Sequence, residues 1–233
     1  MCFTGIVYVA TLDSTHYTFE ASGSLWQDAL VLRDRQTGSL WSQISGECIA
    51  GPLEGTRLEQ YPATFTTFST FKRYHPHGQL LKKPDKGQPA SGYADYFAQP
   101  DRLGIFGRIN DFQRLEAKDQ VFGLRLADRE IAVAKSYLNE QRYKIIDSGN
   151  TRIIIYYDRE SNSAAAYALP HLMAQQLSVL NVKAGQLTIG TQHWNLLTGQ
   201  PTAGNGNPLV AQPLISAFWF AWASFFPETE LIK

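Results

Sequence analysis

The sequence predicts an α+β fold that is mostly β and contains two degenerate copies of one unit. Runs of β-branched and aromatic residues alternate with Gly-, Pro- and Asp-containing turns, which is typical of strands. Helical spacing is confined to a few short segments. A tryptophan, two glycines and two prolines recur in one order near both ends of the chain. Internal repetition of this kind indicates duplication.

The repeated stretch is 34–62, and its degraded echo is 190–213. The residues that recur with identical spacing are Trp41, Gly46, Ala50 and Gly51 in the first copy and Trp194, Gly199, Ala203 and Gly204 in the second. After a gap of two residues the match resumes, and it extends through a short aromatic segment in each copy. The predicted unit is a strand, a Gly turn, a second strand, a short helix and a last strand. Less sequence precedes the first copy, so we predict that its N-terminus is truncated.

In chain order, strands are predicted at 3–10, 17–21, 25–33, 40–44, 121–126, 131–134, 152–157, 164–169 and 187–189. Short helices are predicted at 64–74, 93–97 and 136–142, and the segment 172–180 is compatible with either helix or strand. Thr64 is the expected N-cap of the first helix. The Lys-, Pro- and Gly-rich stretch 82–92 is predicted to be a loop.

These elements divide the chain into a first repeat at 1–85, a connector at 86–120 and a second repeat at 121–233. We expect the two repeats to pack as one compact body.

The bulk composition excludes some classes of function. The formal net charge is zero, whereas a nucleic-acid-binding protein needs a basic face, so no nucleic acid partner is expected. The apolar run 216–226 is shorter than the roughly 20 residues that span a bilayer, so no transmembrane segment is predicted. The first residues lack a secretory signal pattern. A soluble, cytoplasmic protein is the default, with an exported form left open if the N-terminus is incomplete.

A polar cluster follows the third predicted strand and is lost in the second copy. It comprises Asp34, Arg35, Thr37 and Ser39. Asp at the start of a turn accepts hydrogen bonds from nearby backbone N–H groups, so one interpretation is a structural turn. The alternative is a ligand pocket that Trp41 and Gln43 close.

Cys2 and Cys48 are the most reactive side chains in the sequence, since a thiolate is both a nucleophile and a metal ligand. They form a thiol site in one interpretation and are small buried hydrophobes in the other. His75 and His77 are a weaker alternative for metal binding, because no further ligand stands at a suitable spacing.

The apolar run 216–226 of the second copy corresponds to the predicted helix 64–74 of the first copy. As a helix it is apolar on every side, with Phe218 and Phe220 where the first copy has Thr67 and Ser69. A helix of this kind is expected to be buried all round. Either the two halves of the chain pack there, or the helix is an interface with a partner.

Four segments of the chain resemble a bacterial and archaeal family known as domain of unknown function 3179. These segments are DRQTGSLWSQISGECIAGPLEGTRL, TTFSTFKRYHP, VFGLRLADREIAVAKSYL and AFWFAWASFFPETELI. The resemblance covers nearly the whole chain. In that family a Cys-x-x-Thr/Cys-Gly motif precedes the first segment, and MCFTG matches it with one residue fewer between Cys2 and Thr4. A His-containing segment usual upstream is missing. The resemblance implies an architecture but no activity and no cofactor.

Two functions remain open. The first is a non-catalytic accessory subunit or binding protein that docks on a protein partner, or on a second copy, through its aromatic helix and an exposed edge. The alternative is a thiol- or metal-dependent enzyme with a site around Cys2, Cys48 and the Asp34–Trp41 turn.

Overall fold

The computed structural model describes residues 2–81, 92–100, 102–104, 113–170, 180–203 and 206–233. Within the described residues, strands account for 43% and helices for 13%. The prediction of an α+β fold that is mostly β is therefore confirmed. The predicted loop at 82–92 and the ambiguous segment 172–180 lie outside the described residues except for their last residues, Gly92 and Leu180, which begin a helix and a strand. Part of the connector 86–120 also lies outside them, and the domain boundaries stay a prediction.

The strands are β1 (Val7–Tyr8), β2 (Thr11–Leu12), β3 (Thr15–His16), β4 (Phe19–Trp26), β5 (Ala29–Asp34), β6 (Leu40–Ser42), β7 (Cys48–Ala50), β8 (Gln60–Tyr61), β9 (Gln120–Arg125), β10 (Glu130–Ala134), β11 (Tyr143–Ser148), β12 (Thr151–Asp158), β13 (Ser163–Ala168), β14 (Leu180–Lys183), β15 (Gln186–Ile189), β16 (Gln192–Asn195), β17 (Pro201–Ala203), β18 (Val210–Ala211), β19 (Ile215–Phe218) and β20 (Glu230–Ile232). Within the described ranges the helices are α1 (Phe68–Tyr74), α2 (Gly92–Ala98), α3 (Lys135–Gln141) and α4 (Trp219–Phe225).

Two four-stranded antiparallel meanders share one strand order. Meander A is β4-β5-β6-β7, and meander B is β14-β15-β16-β17. In both, the pairing of the third and fourth strands shifts register at the tryptophan, which is Trp41 in A and Trp194 in B. Gly46 and Gly199 follow these tryptophans, and both have φ of 68°. The meanders agree in these features, while duplication as their origin stays a prediction.

Gly46 and Gly199 also lie against an aromatic ring. A Cβ atom on Gly46 would stand 2.6 Å from the Tyr8 ring, and one on Gly199 would stand 2.5 Å from the Tyr167 ring. Both the positive φ and this close approach require glycine. Each turn therefore fixes the position of a tyrosine from a neighbouring strand.

The second half of the protein is layered. Helix α4 covers one face of the central sheet, β19-β9-β10-β20, in which only β20 runs parallel to its neighbour β10. The other face packs on the long sheet, β11-β12-β13-β18, whose far side packs on meander B. Alternation along the strands produces these layers: Ile131 and Val133 face the long sheet, while Ala132 faces α4.

Helix α4 approaches β9 closely because that strand carries a glycine. A Cβ atom on Gly123 would lie 2.0 Å from the Trp222 ring. Trp222 is fully buried, and its indole N–H donates to the hydroxyl of Thr229 at 3.1 Å. Five of the seven residues of α4 are buried, from Trp219 to Ala223.

The first half has a smaller core. Trp41, Cys48 and Leu58 form its buried cluster. Helix α1 contributes no buried residue. The extended segment before α1 is joined to the long sheet by a bridge between Phe65 and Ala164.

Two local predictions are wrong. The segment 25–33 is not one strand, because Gln27 and Asp28 adopt positive φ of 50° and 61° and turn the chain between β4 and β5. Neither residue is the Gly or Asn that usually marks such a turn. The N-cap of α1 is Thr67, whose hydroxyl accepts from the backbone N–H of Thr70. Thr64 precedes the helix in extended backbone.

Candidate functional site

The predicted Asp34 cluster forms a closed polar network in its turn. One carboxylate oxygen of Asp34 accepts from the backbone N–H of Thr37 at 2.6 Å, and the other accepts from the indole N–H of Trp41 at 2.9 Å. Asp34 and Trp41 are fully buried. Burial pushes the pKa of Asp34 up, but the hydrogen bonds from Trp41, Thr37 and Gly38 outweigh it and leave the pKa below its ordinary value. The carboxylate is therefore ionised, and its hydrogen-bond donors come from its own loop.

The other two residues of that predicted set lie apart from this network. Arg35 points outward, with its side chain 63% exposed, and pairs with Glu20 at 3.0 Å. Gln43 lines a different cavity, together with Cys2. The geometry of Asp34, Thr37 and Trp41 matches a structural turn, and it brings neither Arg35 nor Gln43 to them.

The two cysteines are buried, free and in separate cores. The Cys2 thiol donates to the backbone carbonyl of Asp28 at 2.9 Å, and the Cys48 thiol donates to that of Ala50 at 3.5 Å. Burial raises the pKa of both thiols. Both are protonated at neutral pH, a state in which a thiol is a poor nucleophile.

The predicted histidine pair lies at the end of α1. His75 is the C-cap of this helix, and its ring packs beside Phe71 with a centroid distance of 5.4 Å. His77 is exposed. Among the described residues, no group of three His, Cys, Asp or Glu side chains could hold a metal ion.

The predicted interface residues are buried inside the protein. Phe218 is 8% exposed and Phe220 is 5% exposed. The Phe218 ring stacks on Phe3 at 5.3 Å and meets the edge of Phe97 at 5.9 Å. The chain's own residues thus cover the face that the sequence offered to a partner.

The β4–β5 turn carries two unsatisfied side chains that the sequence did not single out. Asp28 is 4% exposed, and within the described chain its Oδ1 atom has no hydrogen-bond partner. The same holds for the buried Oε1 atom of Gln27. Burial raises the pKa of Asp28. Buried polar groups are normally paired, so this turn is a candidate binding element.

A cleft opens beside Gln27 and has a volume of about 370 Å³. We call this cavity the hairpin cleft; it lies between the β4–β5 turn, the end of β9 and the C-terminal end of α4. Its lining includes Trp26, Gln27, Arg57, Arg125, Glu130 and Phe226. The cleft combines aromatic walls with charged groups of both signs.

Arg125 is the central polar group of the hairpin cleft. One of its terminal nitrogens donates to the Ser45 carbonyl at 2.7 Å, and the guanidinium lies 5.2 Å from the centroid of the Phe226 ring. Its buried Nε atom has no partner in the described residues. Burial lowers the pKa of Arg125. The sequence signal was an arginine at the end of the apolar strand VFGLR, but its surroundings come from three distant segments.

Two other cavities are lined by residues that the sequence singled out. The first, which we call the helix groove, has a volume of about 260 Å³ and runs beside α1, where Phe71, Tyr74 and Leu197 line it. The second, the thiol cavity, has a volume of about 410 Å³, and Cys2 and Gln43 line it.

The fold defines the protein as a mostly β α+β protein made of several small antiparallel sheets. A family model described as "Protein of unknown function (DUF3179)" matches residues 1–229. The chain therefore belongs to this family, and the resemblance seen in its motifs is confirmed. Neither a curated protein nor a solved structure matches it. In the part of the chain that is described, no helix has the length and apolarity to cross a membrane.

Proposed function

We propose that the protein is a non-catalytic binding protein that docks on a protein partner through α1. The observation that carries this proposal is the contrast between two helices of seven residues each. Helix α4 has five buried residues, and α1 has none. We therefore assign the docking face to α1 and not to α4, the helix that the sequence analysis had favoured.

Helix α1 carries an apolar face in spite of its exposure. Phe68, Phe71 and Tyr74 recur every third residue and share one side of the helix. Phe68 is 59% exposed and Tyr74 is 37% exposed. Isolated helices of this length are not stable in water, and most helical stability in proteins comes from packing of an apolar face. A partner that covers this face would supply that packing.

The helix groove adds a recess next to this face. Phe71, Tyr74 and Leu197 give it apolar walls, and Thr66 and Thr70 add hydroxyl groups. A recess with apolar walls and a polar rim suits one large side chain of a partner, the arrangement that concentrates binding energy at interfaces.

The exposed edge is a weaker docking element than α1. Strand β4 is one of the two end strands of meander A and pairs with no other strand in the described residues, but its pairing with β5 shifts register between Ala21 and Leu25. Irregularities of this kind protect edges from pairing with another strand. We therefore assign docking to α1.

The test is native mass spectrometry of untagged protein purified from its own source. We expect the wild type in an assembly heavier than the monomer, and a Phe68→Ser/Tyr74→Ser variant as a monomer. Lys72→Ala is the matched control on the same helix and should keep the assembly. A multiple of the chain mass would identify the partner as a second copy. A wild-type monomer would overturn the proposal.

A second candidate, a thiol site at Cys2, has one observation in its favour. Within the described residues, the buried Asp28 beside Cys2 has a carboxylate oxygen without a hydrogen-bond partner, and Phe3 adopts a φ of 54°, which is unusual for a bulky residue. Strained backbone concentrates at functional sites. The protonated state of the thiol places this candidate second.

Iodoacetamide labelling tests the thiol candidate, with Cys48→Ser and Cys2→Ser variants isolating each thiol in turn. A thiol site predicts that Cys2 reacts at pH 7 much faster than Cys48. Equally slow labelling of both thiols would remove this candidate and leave the docking proposal intact.

A further inference from the structure

We propose that the hairpin cleft binds a free amino acid with an aromatic or large apolar side chain. Its carboxylate would pair with Arg125, its ammonium with Glu130 and Glu228, and its side chain with the aromatic wall. The proposal is independent of docking through α1, because no residue of α1 lines this cleft.

The carboxylate position follows from the state of Arg125. Within the described residues this guanidinium forms no ion pair. Burial lowers its pKa, which means that its charged form is disfavoured in these surroundings. Arg125 is partly buried, and a partly buried charge without a counter-ion is unfavourable. Arg125 lines the cleft, where a ligand carboxylate would supply the missing counter-ion and accept a hydrogen bond from a terminal nitrogen of the guanidinium.

The ammonium position follows from the acceptors that remain. Glu130 and Glu228 line the cleft, whereas Glu47 is already paired with Arg57 at 2.8 Å. An anion alone would meet these carboxylates unfavourably. A zwitterion complements both signs of charge in the cleft.

The side-chain position follows from the aromatic wall. The Trp26 and Phe225 rings meet edge to face at a centroid distance of 5.3 Å, and Phe226 lies under Arg125. Trp26 is 40% exposed at the rim, so its surface is open to a ligand. The volume of about 370 Å³ lies in the range of small-molecule sites, which combine apolar walls with a few polar groups.

The test is calorimetric titration of the full chain with three probes. L-Phenylalanine has all three groups, phenethylamine lacks the carboxylate and 3-phenylpropionate lacks the ammonium. We expect saturable binding of L-phenylalanine, and binding of each truncated probe about tenfold weaker or more, since each leaves a charge of the cleft unpaired. No binding of L-phenylalanine, or equal binding of 3-phenylpropionate, would overturn the proposal.

Variants locate the binding site. Arg125→Gln should abolish binding of L-phenylalanine, whereas Arg159→Gln, which changes an exposed arginine on a remote turn, should bind like the wild type. If Arg125→Gln does not fold, Glu130→Gln serves instead: it should weaken binding of L-phenylalanine and leave 3-phenylpropionate unaffected. Binding that survives in every cleft variant would place the ligand elsewhere and refute the assignment.

Discussion

Helices α1 and α4 have nearly identical backbone conformations but lie in different surroundings. Both have seven residues, and their C-caps have φ and ψ of −129° and 67° at His75 and −131° and 68° at Phe226. The exposed α1 has a side-chain N-cap, Thr67, whereas the buried α4 begins at Phe218 without one. A helix that is packed on a sheet can dispense with local capping; an exposed one depends on it.

Strand β9 packs against α4. In the described part of the first half, no strand packs against α1 in the equivalent position. Gly123 lets the Trp222 ring lie directly on β9. The two helices therefore differ less in their own geometry than in what lies over them. This difference is the basis for the docking proposal, and the following experiments test it.

The largest expected effect is on the core of α4. Trp222→Ala should lower the free energy of unfolding by about 3–5 kcal/mol, because it empties a fully buried site. Phe71→Ala in α1 should lower it by about 1 kcal/mol or less, because that side chain is only half-buried. Urea unfolding of both variants measures the contrast. Equal losses would mean that α1 is packed as tightly as α4.

The two meander glycines should respond alike. Gly46→Ala and Gly199→Ala should each lower the free energy of unfolding by about 2–4 kcal/mol, since the new Cβ atom adds a clash with a tyrosine ring to backbone strain. Gly190→Ala is the control: its φ is 60°, but nothing lies within 4 Å of the new Cβ atom. It should lose only about 1 kcal/mol, the contribution of strain. A large difference between Gly46→Ala and Gly199→Ala would break the equivalence of the meanders.

The hydrogen bonds of the two meander tryptophans should contribute to the free energy of unfolding with different dependence on pH. Trp41 donates to the Asp34 carboxylate, whereas Trp194 donates to the backbone carbonyl of Asn207. Because the folded pKa of Asp34 is lowered, its stabilisation is present above the ordinary value of 3.8 and is lost as the pH falls through the folded value.

Asp34→Asn should therefore lower the free energy of unfolding by about 1–3 kcal/mol at neutral pH and much less in acid. Trp194→Phe should lower it by an amount that does not depend on pH, since no titratable group is involved at that hydrogen bond. Unfolding by urea at pH 7 and pH 3 measures both. A pH-independent loss in Asp34→Asn would contradict the assigned ionisation.

The smallest effect concerns the cap of α1. Thr67→Ala should weaken α1 locally by about 1 kcal/mol, because it removes the acceptor for the N–H of Thr70. The global free energy of unfolding should hardly change, since no residue of α1 is buried. Amide hydrogen exchange within α1 should become faster, and Lys72→Ala, at an exposed position in the last turn of the same helix, should leave it unchanged. A global loss of stability would show that α1 belongs to the core.

Local patterns in the sequence were enough to predict much of this fold. The alternating runs around Ile131 and the β-branched run ending at Tyr157 predicted strands that the structure contains. The spacing of Phe68, Phe71 and Tyr74 predicted α1. Each of these signals is local, since a run of β-branched residues or a regular spacing of aromatic side chains can be recognised without the rest of the fold. The family followed from motifs that extend over nearly the whole chain.

The hairpin cleft could not be predicted in this way. Its turn is formed by Gln27 and Asp28 at positive φ, without the glycine or asparagine that reveals such turns. Its charge, Arg125, meets Phe226 across about a hundred residues of sequence, and only the folded chain brings them together. Charge and apolar content alone cannot indicate which ionised groups lose their partners when elements pack.

The parallel pairing of β20 with β10 has a consequence for biosynthesis. The hairpin β9–β10 is translated before both of its flanking strands, β19 and β20, which come from 215–232. The backbone carbonyl of Cys2 likewise receives its hydrogen bond from the N–H of Phe218, which is translated much later. A ribosome must therefore reach residue 232 before the central sheet can close. Until then its apolar edges stay open, which favours slow folding and makes a nascent chain dependent on chaperones.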